Sequence, residues 1–499
     1  MVAAWPCFRR WAPSSCSPAS NRMPVTWGRI SRQCWDKQRG MARQKARRGA
    51  GRKRMSNKPG HKADRASAEF QARVAALEAA PMGRTRLIVV LLCFILNLLD
   101  GVDVVLLTYA APVIAQEWGL KDGALGIVLT ASLLGTAFGS MLMGPVADMI
   151  GRRKVVLIAI TLIGSGMLLA ATAHDMVMLA VWRVVTGVGI GAILASMASI
   201  TSEFSNARLR SFWVAFLQAG WPIGAIITGF ASAVLIQAYG WKPLFVGSGM
   251  LSVIILPVVA WLMPESLQFL AKQDAPDRLA RMNRLLVKLG QPALSEAPPL
   301  PAKRGVKLSA LFEGHLARST PALWLGMTMG WAGLYFLISW IPRIAVNAGL
   351  PLDQAIMAGA TFNIGAFIGS AGIGLLATRL PLNRLIPGFL GAATLAMLLF
   401  GWVSLPIMAT FATILVLGVL VQGGFNAFYP MAAQLYPTEI RTTGIGTAMA
   451  VGRSGAILGP LAAGYLMEIG TDRGMLFLVY AVPLAIAAVA AWRVGSKPS

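Results

Sequence analysis

Residues 91–115 read LLCFILNLLDGVDVVLLTYAAPVIA, an apolar run that is long enough to cross a membrane and yet carries two acids near its centre. A helix rises 1.5 Å per residue, so about 20 apolar residues span a hydrocarbon core about 30 Å thick. A charged side chain at the centre of that core costs about 2.5–3.5 kcal/mol on insertion scales, and acids kept there usually have a partner, a proton or a function. Asp100 and Asp103 are therefore the first candidate functional residues.

The whole chain has the composition of an integral membrane protein. Of its 499 residues, 56% are hydrophobic and 13% are charged, whereas soluble globular domains have about 25% charged residues. The net charge of +25 is concentrated near the N terminus, where residues 1–86 hold 20 Lys and Arg against 4 Asp and Glu. We expect residues 1–86 to be a disordered basic cytoplasmic tail that does not bind nucleic acid, with residues 1–54 either part of it or an over-extended translation start.

Apolar runs of membrane-spanning length recur twelve times along the chain. Six precede and six follow a polar segment at residues 264–319, so the sequence predicts an all-α membrane protein with six-helix bundles at 87–263 and 320–493. Lys and Arg are enriched in the tail and in this central segment, and the positive-inside rule then places both termini and the segment in the cytoplasm. We expect the membrane to be a bacterial inner membrane. The predicted spans are 87–111, 123–146, 154–173, 176–200, 211–236, 243–263, 320–345, 354–377, 384–403, 405–429, 441–467 and 473–493.

The two predicted bundles resemble each other in sequence. GSMLMGPVAD at 139–148 aligns with GSAGIGLLAT at 369–378, and the GAII that begins at Gly224 aligns with the GAIL that begins at Gly455. Duplicated halves of this kind are typical of secondary transporters, in which the substrate site lies between the halves near the bilayer midplane.

Three motifs resemble a known family. GPVADMIGRRK (144–154) resembles the loop signature between the second and third helices of the major facilitator superfamily, and MPESLQFL (263–270) resembles the Pro-Glu-Ser motif after its sixth helix. LDGVD (99–103) resembles the Asp-Gly-x-Asp element of the aromatic acid:proton symporter family. This resemblance covers residues 85–495. It implies the twelve-helix fold of that superfamily and the import of a small aromatic carboxylate, of the benzoate or hydroxybenzoate kind, in symport with protons by alternating access.

The same resemblance implies a gate at the cytoplasmic ends of the helices. In the loop motif, glycine permits close helix approach and a tight turn, and an acid can accept from a helix N terminus or pair with an arginine. The gating candidates are Gly144, Asp148, Gly151, Arg152, Glu203 and Arg441, with Arg208 and Arg210 close in sequence to Glu203.

Two arginines lie deep within predicted spans. Arg183 is seven residues into the fourth span, or about 10 Å deep, and Arg453 is twelve residues beyond Arg441, or about 18 Å along the eleventh span. An arginine at such depth must face protein or a water-filled cavity, and its planar guanidinium suits a carboxylate partner. Both arginines are candidates for binding the substrate carboxylate, and Arg183 can equally form a structural ion pair.

Asp100 and Asp103 are the candidates for proton coupling. Asp100 is thirteen residues beyond Leu87, or about 20 Å along the first span. Removal of water favours the protonated form of a carboxyl, and a nearby cation favours the ionised form. A carboxyl that experiences both effects in turn can take up a proton and release it again, as a proton carrier must. Either acid can instead be a buried structural group.

Seven aromatic residues of helices seven and ten can offer ring faces to an aromatic substrate. The residues chosen as candidates for substrate binding are Trp331, Tyr335, Phe425 and Tyr429, and the remaining three are Phe336, Trp340 and Phe428.

Two other functions stay open at this point. One is transport of a different solute by the same superfamily, such as a sugar, sialic acid, phosphate or an exported drug; the other is a membrane sensor of aromatic acids without net transport. An enzyme is not expected, because no nucleophile with its base, metal-ligand set or cofactor loop is present in the sequence. We expect no metal or cofactor, a monomer, and an aromatic acid, protons and the lipid bilayer as partners.

Overall fold

The computed structural model describes residues 59–300, 308–377, 379–403, 405–437 and 440–495. The chain divides into two compact units, residues 1–68 and residues 69–499. In the first unit, residues 59–68 are described and are helical, as the beginning of the helix Pro59–Ala79. The second unit is built from helices, and no strand occurs in the part of the chain that the structure describes.

Twelve long helices form the body of the second unit within the residues that the structure describes. Eleven of them are long and apolar enough to cross a membrane. The remaining helix has 28 residues, but six glycines and Arg453 lower its apolar character. The all-α, twelve-helix fold predicted from the sequence is therefore confirmed. The helices are α1 (Arg84–Trp118), α2 (Asp122–Ile150), α3 (Arg152–Ala170), α4 (Met176–Phe204), α5 (Arg210–Tyr239), α6 (Lys242–Leu262), α7 (Leu316–Asn347), α8 (Leu352–Leu376), α9 (Leu382–Trp402), α10 (Ile407–Asn426), α11 (Arg441–Glu468) and α12 (Arg473–Gly495).

Helices pack in equivalent pairs in the two halves. In the first half α1 lies against α5, α2 against α4 and α3 against α6; in the second half α7 lies against α11, α8 against α10 and α9 against α12. A Cβ atom at Gly135 or Gly139 of α2 would lie 2.1–2.2 Å from a backbone oxygen of α4, and one at Gly365 or Gly369 of α8 would lie 2.1 Å from a backbone oxygen of α10. Small residues at the same repeat positions therefore allow the same close helix approach in both halves.

The two halves meet mainly through α2 with α11, α5 with α8, and α1 with α7. We call the end of the bundle that carries the segment between α6 and α7 the linker end, and the opposite end the far end. Contact between the halves is close in the far-end part of these helices. A Cβ atom at Gly464 of α11 would lie 3.1 Å from the Cα atom of Gly126 of α2, and one at Gly229 of α5 would lie 2.7 Å from the Cβ atom of Ala360 of α8.

The same helix faces separate towards the linker end. On the face of α11 that packs on α2, Gly446 and Ala450 are exposed, and a Cβ atom at Gly446 would meet no described heavy atom within 4 Å. On the face of α8 that packs on α5, Phe367 and Gly374 are exposed as well. Positions three to four residues apart lie on one side of a helix, so each face passes from packed to open along its length. The bundle is closed at the far end and open at the linker end.

The segment between α6 and α7 contains helices as well as loop. Helices Leu267–Lys272 and Arg278–Lys288 pack their apolar side chains against Phe70, Val74 and Leu77, in the part of the helix Pro59–Ala79 that belongs to the second unit. The expectation of disorder throughout residues 1–86 is wrong for this helix, because its apolar side chains recur at helical spacing and are covered. Residues 1–54, expected to be an over-extended start or tail, lie outside the described residues. The apolar cluster includes Phe70, Val74, Leu77, Leu267, Leu270, Met282, Leu285 and Leu286.

Candidate functional site

An arginine lies on an aromatic wall near the centre of the bundle. Arg453 is on the α2-facing side of α11, between the packed and the open parts of that side, and its guanidinium carbon is 5.3 Å from the ring centroid of Trp331. A cation over an indole face is attracted by the negative face of the ring. In the described part of the chain, no carboxylate lies within 4 Å of this guanidinium. Arg453 can therefore accept an anion from solution without first losing an ion pair to a described residue.

The four chosen aromatic side chains are brought together around Arg453. The rings of Trp331 and Phe425 are 5.5 Å apart and tilted by 32°, and Tyr335 and Tyr429 contact them edge-on at 6.4 Å and 5.9 Å. Arg453 is within electrostatic range of both tyrosine hydroxyls. Aromatic rings prefer offset or edge-to-face neighbours at such distances, so this wall can also take the ring of a bound molecule.

Asp100 faces this wall from the other half of the bundle. Its side chain is buried, with a relative exposure of 7%, and it is within electrostatic range of Arg453, Tyr335 and Asp103. In contrast to Asp103, it makes no ion pair within 4 Å with any described residue. A buried carboxyl in that position can be balanced by a proton or by movement of the cation opposite it.

Asp103 and Arg183 form a closed ion pair inside the first half. Arg183 donates from Nη1 to Oδ1 of Asp103 at 2.5 Å and from Nη2 to its backbone oxygen at 3.1 Å, and both side chains are only 1% exposed. Ser132 of α2 donates to the same carboxylate at 3.4 Å, and Nη1 of Arg183 also lies 3.4 Å from the sulfur of Met167 on α3. The pair therefore links four helices, α1 to α4, and its guanidinium already has a carboxylate partner.

The structure thus separates the predicted site residues into two groups. Asp100, Arg453 and the four chosen aromatic residues share the interface between the halves, whereas Asp103 and Arg183 lie in the interior of the first half. The other three aromatic candidates pack within the second half. Phe336 stacks on Tyr480 at 3.9 Å, Trp340 donates to the backbone oxygen of Pro460 at 3.0 Å, and Phe428 is fully buried.

A second cluster lies at the linker end, where α2 turns into α3. Gly151 has φ 109°, a conformation that favours glycine, and a Cβ atom there would lie 2.4 Å from Oε2 of Glu265. Glu265, in the Pro-Glu-Ser motif, accepts hydrogen bonds from the backbone N–H groups of Arg152 at 3.1 Å and Arg153 at 3.3 Å. These N–H groups are at the positive end of α3, where a carboxylate is stabilising. The two motifs recognised in the sequence therefore contact each other.

Glu203 connects this cluster to the end of α4. Its carboxylate accepts from the guanidinium of Arg152 and from the hydroxyl of Ser266. The sequence placed Arg208 and Arg210 close to Glu203, but Arg210 instead pairs with Glu78 at 2.5 Å. The reason is tertiary: the ends of α3, α4 and α6 meet here. The backbone of Gly144 is within α2, and the side chains of Asp148 and Arg441 lie outside the described part of the structure.

Sequence reasoning missed an ion pair between the halves at the far end. Asp122, in the first turn of α2, accepts from Nε of Arg343 of α7 at 2.9 Å, and the two side chains are 17% and 19% exposed. Lys121 and Glu468 lie 3.8 Å apart beside this pair. The partners are 221 residues apart in the chain, so no local pattern links them. Glu265 was also missed as a site residue, although the motif that contains it was recognised.

Comparison with known proteins agrees with this architecture. The family model of the Major Facilitator Superfamily matches residues 93–438. The chain is 32% identical to the gallate transporter of Pseudomonas putida, over 83% of this chain and 93% of the relative. It is 33% identical to the 4-hydroxybenzoate transporter PcaK of Pseudomonas putida, over 82% of this chain and 92% of the relative.

A solved structure shares the fold at low sequence identity. The structure of the xylose transporter XylE from E. coli, in a partially occluded inward open conformation, superposes with a TM-score of 0.67 at 14% identity, covering 83% of this chain and 99% of that one. Both of these relatives are transporters, in agreement with the expectation that the protein is not an enzyme. Since the family model spans more than half of the chain and the relatives exceed 30% identity over most of it, the chain belongs to the major facilitator superfamily.

Proposed function

We propose that the protein imports small aromatic carboxylates together with protons by alternating access, as a monomer in the inner membrane of a bacterium. One observation carries the proposal: Arg453 lies against Trp331 between the halves, has no carboxylate partner among the described residues, and faces Asp100. A cation beside aromatic faces matches a molecule with one negative charge and one ring. The names of the relatives, transporters of gallate and 4-hydroxybenzoate, support the same class of substrate.

In this proposal the substrate binds by its carboxylate and by its ring. The guanidinium of Arg453 pairs with the carboxylate, and a bidentate pair fixes orientation as well as charge. The ring lies against Trp331 and Phe425, whose centroids are 5.5 Å apart. Tyr335 and Tyr429 border the same space. All four aromatic residues belong to the second half, so this half supplies most of the substrate contacts.

Coupling to protons follows from the balance of charge between Asp100 and Arg453. One guanidinium can balance one carboxylate in a buried site. When a substrate anion occupies Arg453, an ionised Asp100 would be left without compensation in the membrane interior, and a proton on Asp100 removes that charge. Release of substrate lets Arg453 balance Asp100 again, and the proton can leave. Asp103 serves this scheme indirectly, because its ion pair with Arg183 holds α1 in place.

Orientation in the membrane follows from the distribution of basic residues. The Lys- and Arg-rich segment between α6 and α7 lies at the linker end, where α1 also begins, so the positive-inside rule places this end in the cytoplasm. The bundle, open at the linker end, is then open to the cytoplasm. The far-end ion pair of Asp122 with Arg343 belongs to this inward-facing state and must break when the bundle opens outward.

The experiment is ligand binding to the purified protein with substitutions at Arg453. We expect Arg453→Gln to weaken binding of benzoate and 4-hydroxybenzoate by about ten- to a hundred-fold, since a charge-assisted hydrogen bond contributes about 1.5–3 kcal/mol. Arg453→Lys should restore little, because an ammonium group does not reproduce the planar fork. Arg473→Gln is the matched control, because it removes an arginine at the start of α12, which lies at the far end of the bundle. This variant should bind both aromatic acids normally.

Other outcomes identify the rival functions. Unchanged affinity in Arg453→Gln would move the anion site elsewhere. Binding of sugars, phosphate or unrelated drugs in place of aromatic acids would point to another solute class of the superfamily. Saturable binding of an aromatic acid with no uptake into liposomes would favour a sensor.

A further inference from the structure

A chain of three polar side chains lies beside the aromatic wall and is not used by the proposed binding of carboxylate and ring. Gln422 of α10 donates from Nε2 to Oδ1 of Asn426 at 3.1 Å, and Asn426 donates from Nδ2 to Oγ of Ser370 on α8 at 2.8 Å. Ser370 in turn donates to the backbone oxygen of Ala366 at 2.7 Å. The hydrogen bonds run in one direction and end on the backbone of α8.

The other end of this chain is unsatisfied. Oε1 of Gln422 is buried and has no hydrogen-bond partner among the described residues. Leaving a buried polar atom unpaired costs about 1–3 kcal/mol, so such an atom in a membrane-spanning helix needs a reason. If both amides are turned over, the chain reverses and the unpaired atom of Gln422 becomes its NH₂ group. In either orientation one polar atom of this side chain is left for a partner outside the chain.

Helix geometry places Gln422 next to the proposed substrate. Phe425 and Asn426 are three and four positions after Gln422 on α10, so both lie on the same side of that helix as Gln422. From this side, Phe425 contacts Trp331 and Asn426 reaches α8. Gln422 is thus between the aromatic wall and α8, and its side chain is partly exposed. Its terminal torsion is broad, so the amide can turn towards a bound molecule at little cost.

Hydrogen bonding between helices does not explain why a polar residue is present at position 422. Polar side chains in membranes often join helices, and the bond from Asn426 to Ser370 does join α10 to α8. Among the described residues, however, Gln422 forms a hydrogen bond only with a residue of its own helix one turn away, so it adds no hydrogen bond between described helices. A side chain needed only for packing at this position would be apolar, since an apolar residue leaves no polar atom unpaired.

We propose that Gln422, supported by Asn426 and Ser370, is the subsite that recognises a ring hydroxyl group of the substrate. This inference rests on the proposed function and narrows it: the preferred substrates are hydroxylated aromatic acids rather than benzoate itself. A phenolic hydroxyl both donates and accepts, so it satisfies the free end of the chain in either orientation of the amides. A site built to bond a hydroxyl also disfavours the analogue that lacks it, because the polar group of the site is then left unpaired.

The test compares two ligands on the same purified variants. The dissociation constants of benzoate and 4-hydroxybenzoate, with 3,4,5-trihydroxybenzoate as a third ligand, are measured for the unmodified protein, Gln422→Leu and Asn426→Leu. We expect the unmodified protein to prefer the hydroxylated acids by about tenfold or more, and Gln422→Leu to lose that preference while keeping its affinity for benzoate. Thr413→Val is the matched control, because it removes a polar group from α10 that bonds only to the backbone of its own helix.

The affinity for benzoate distinguishes failure of the proposed hydroxyl subsite from failure of the proposed function. A variant that still binds benzoate is folded and retains the site of Arg453, so a change in its ratio of affinities is specific to the hydroxyl group. An unchanged ratio in both Gln422→Leu and Asn426→Leu overturns the subsite while leaving the proposed function intact. The same holds if the unmodified protein binds benzoate as tightly as the hydroxylated acids. If it binds no aromatic acid at all, the proposed function fails and this inference fails with it.

Discussion

Asp100 and Asp103 are three residues apart on one helix and differ in electrostatic surroundings. The side chain of Asp103 is fully buried and accepts two hydrogen bonds, a charge-assisted one from Arg183 and a neutral one from the hydroxyl of Ser132. Asp100 has no cation within 4 Å among the described residues and faces Arg453 across the interface. We therefore expect different roles for the two acids, with Asp103 holding the helix in place and Asp100 exchanging the proton.

Neutral variants of the two acids should therefore fail in different ways. We expect Asp100→Asn to fold and to exchange substrate across liposome membranes, but to lose accumulation driven by a pH gradient. Asp103→Asn leaves the buried guanidinium of Arg183 without its partner, and breaking a buried pair costs about 3–5 kcal/mol. It should therefore lower thermal stability in detergent.

Stability and transport assays on both variants check this division. Joint replacement, Asp103→Asn with Arg183→Gln, should recover part of the stability because no charge is left unpaired. Accumulation at the normal level in Asp100→Asn would remove this residue as the proton carrier. Equal stability of Asp103→Asn and the unmodified protein would contradict the structural role of the pair.

At the scale of elements, the linker-end cluster joins α3, α4 and the segment after α6. Glu203 and Glu265 both act on Arg152, one through its guanidinium and one through its backbone N–H. The cluster belongs to the cytoplasmic end in the proposed orientation, away from Arg453. Its effect on transport should therefore be on the rates of opening and closing rather than on the substrate contacts.

Glu203→Gln weakens the charge-assisted hydrogen bond with Arg152, which contributes about 1.5–3 kcal/mol, only in the conformations that contain this bond. Turnover should therefore slow by about tenfold or more, whereas the dissociation constant of the substrate should change by less than about twofold. Arg210→Gln is the control, because its pair with Glu78 lies at the same end but is more exposed, at 39% and 43%. Turnover and equilibrium binding are measured on the same preparations. Loss of binding in parallel with turnover would place Glu203 in the substrate site.

The far-end ion pair joins α2 to α7, and we expect it to stabilise the arrangement that is closed at that end. Removing one member of a largely buried pair leaves the other unpaired at a cost of about 1–3 kcal/mol, and only the state that contains the pair is affected. Asp122→Asn should therefore increase the population that is open at the far end by about tenfold. The charge exchange Asp122→Arg with Arg343→Asp should restore much of the closed population.

Spin labels at the far end measure this shift. Gln116 and Ile469 are exposed residues of the first and second halves, and electron–electron distances between labels there report the separation of the halves. A longer-distance population should grow in Asp122→Asn and shrink again in the charge exchange. An identical distance distribution in all three proteins would show that the pair has no part in closing the far end.

At the scale of the whole molecule, the features predicted from the sequence are those that depend on local composition. Apolar length revealed the membrane helices, and the repeated glycines Gly139 and Gly369 revealed the two halves. The depth of Arg453 and Asp100 along their helices followed from the rise per residue alone. Of the twelve long helices in the described part of the chain, α11 alone is not apolar enough to count as a membrane span, and its glycines and Arg453 reflect its place at the interface between the halves.

The features that could not be predicted from the sequence are contacts between residues that are far apart in the chain. Arg183 could be placed at depth but not assigned between substrate and Asp103, because the two residues are 80 positions apart and the choice is made by the packing of α1 on α4. Arg343 and Asp122 likewise meet only because the halves close at the far end. Phe70, Val74 and Leu77 are likewise covered by apolar side chains of the segment after α6, a long-range contact that the charge of the N-terminal residues does not predict.

The central claim is that an aromatic carboxylate and a proton move inward together, and simultaneous measurement of the two fluxes tests it most directly. The purified protein is placed in liposomes with a pH-sensitive dye inside and no gradient across the membrane. Labelled 4-hydroxybenzoate is then added outside, with Asp100→Asn as the control. We predict acidification of the interior that follows substrate entry and is abolished by an uncoupler, and entry without coupled acidification in the variant. Substrate entry with no accompanying proton movement in the unmodified protein would contradict the claim.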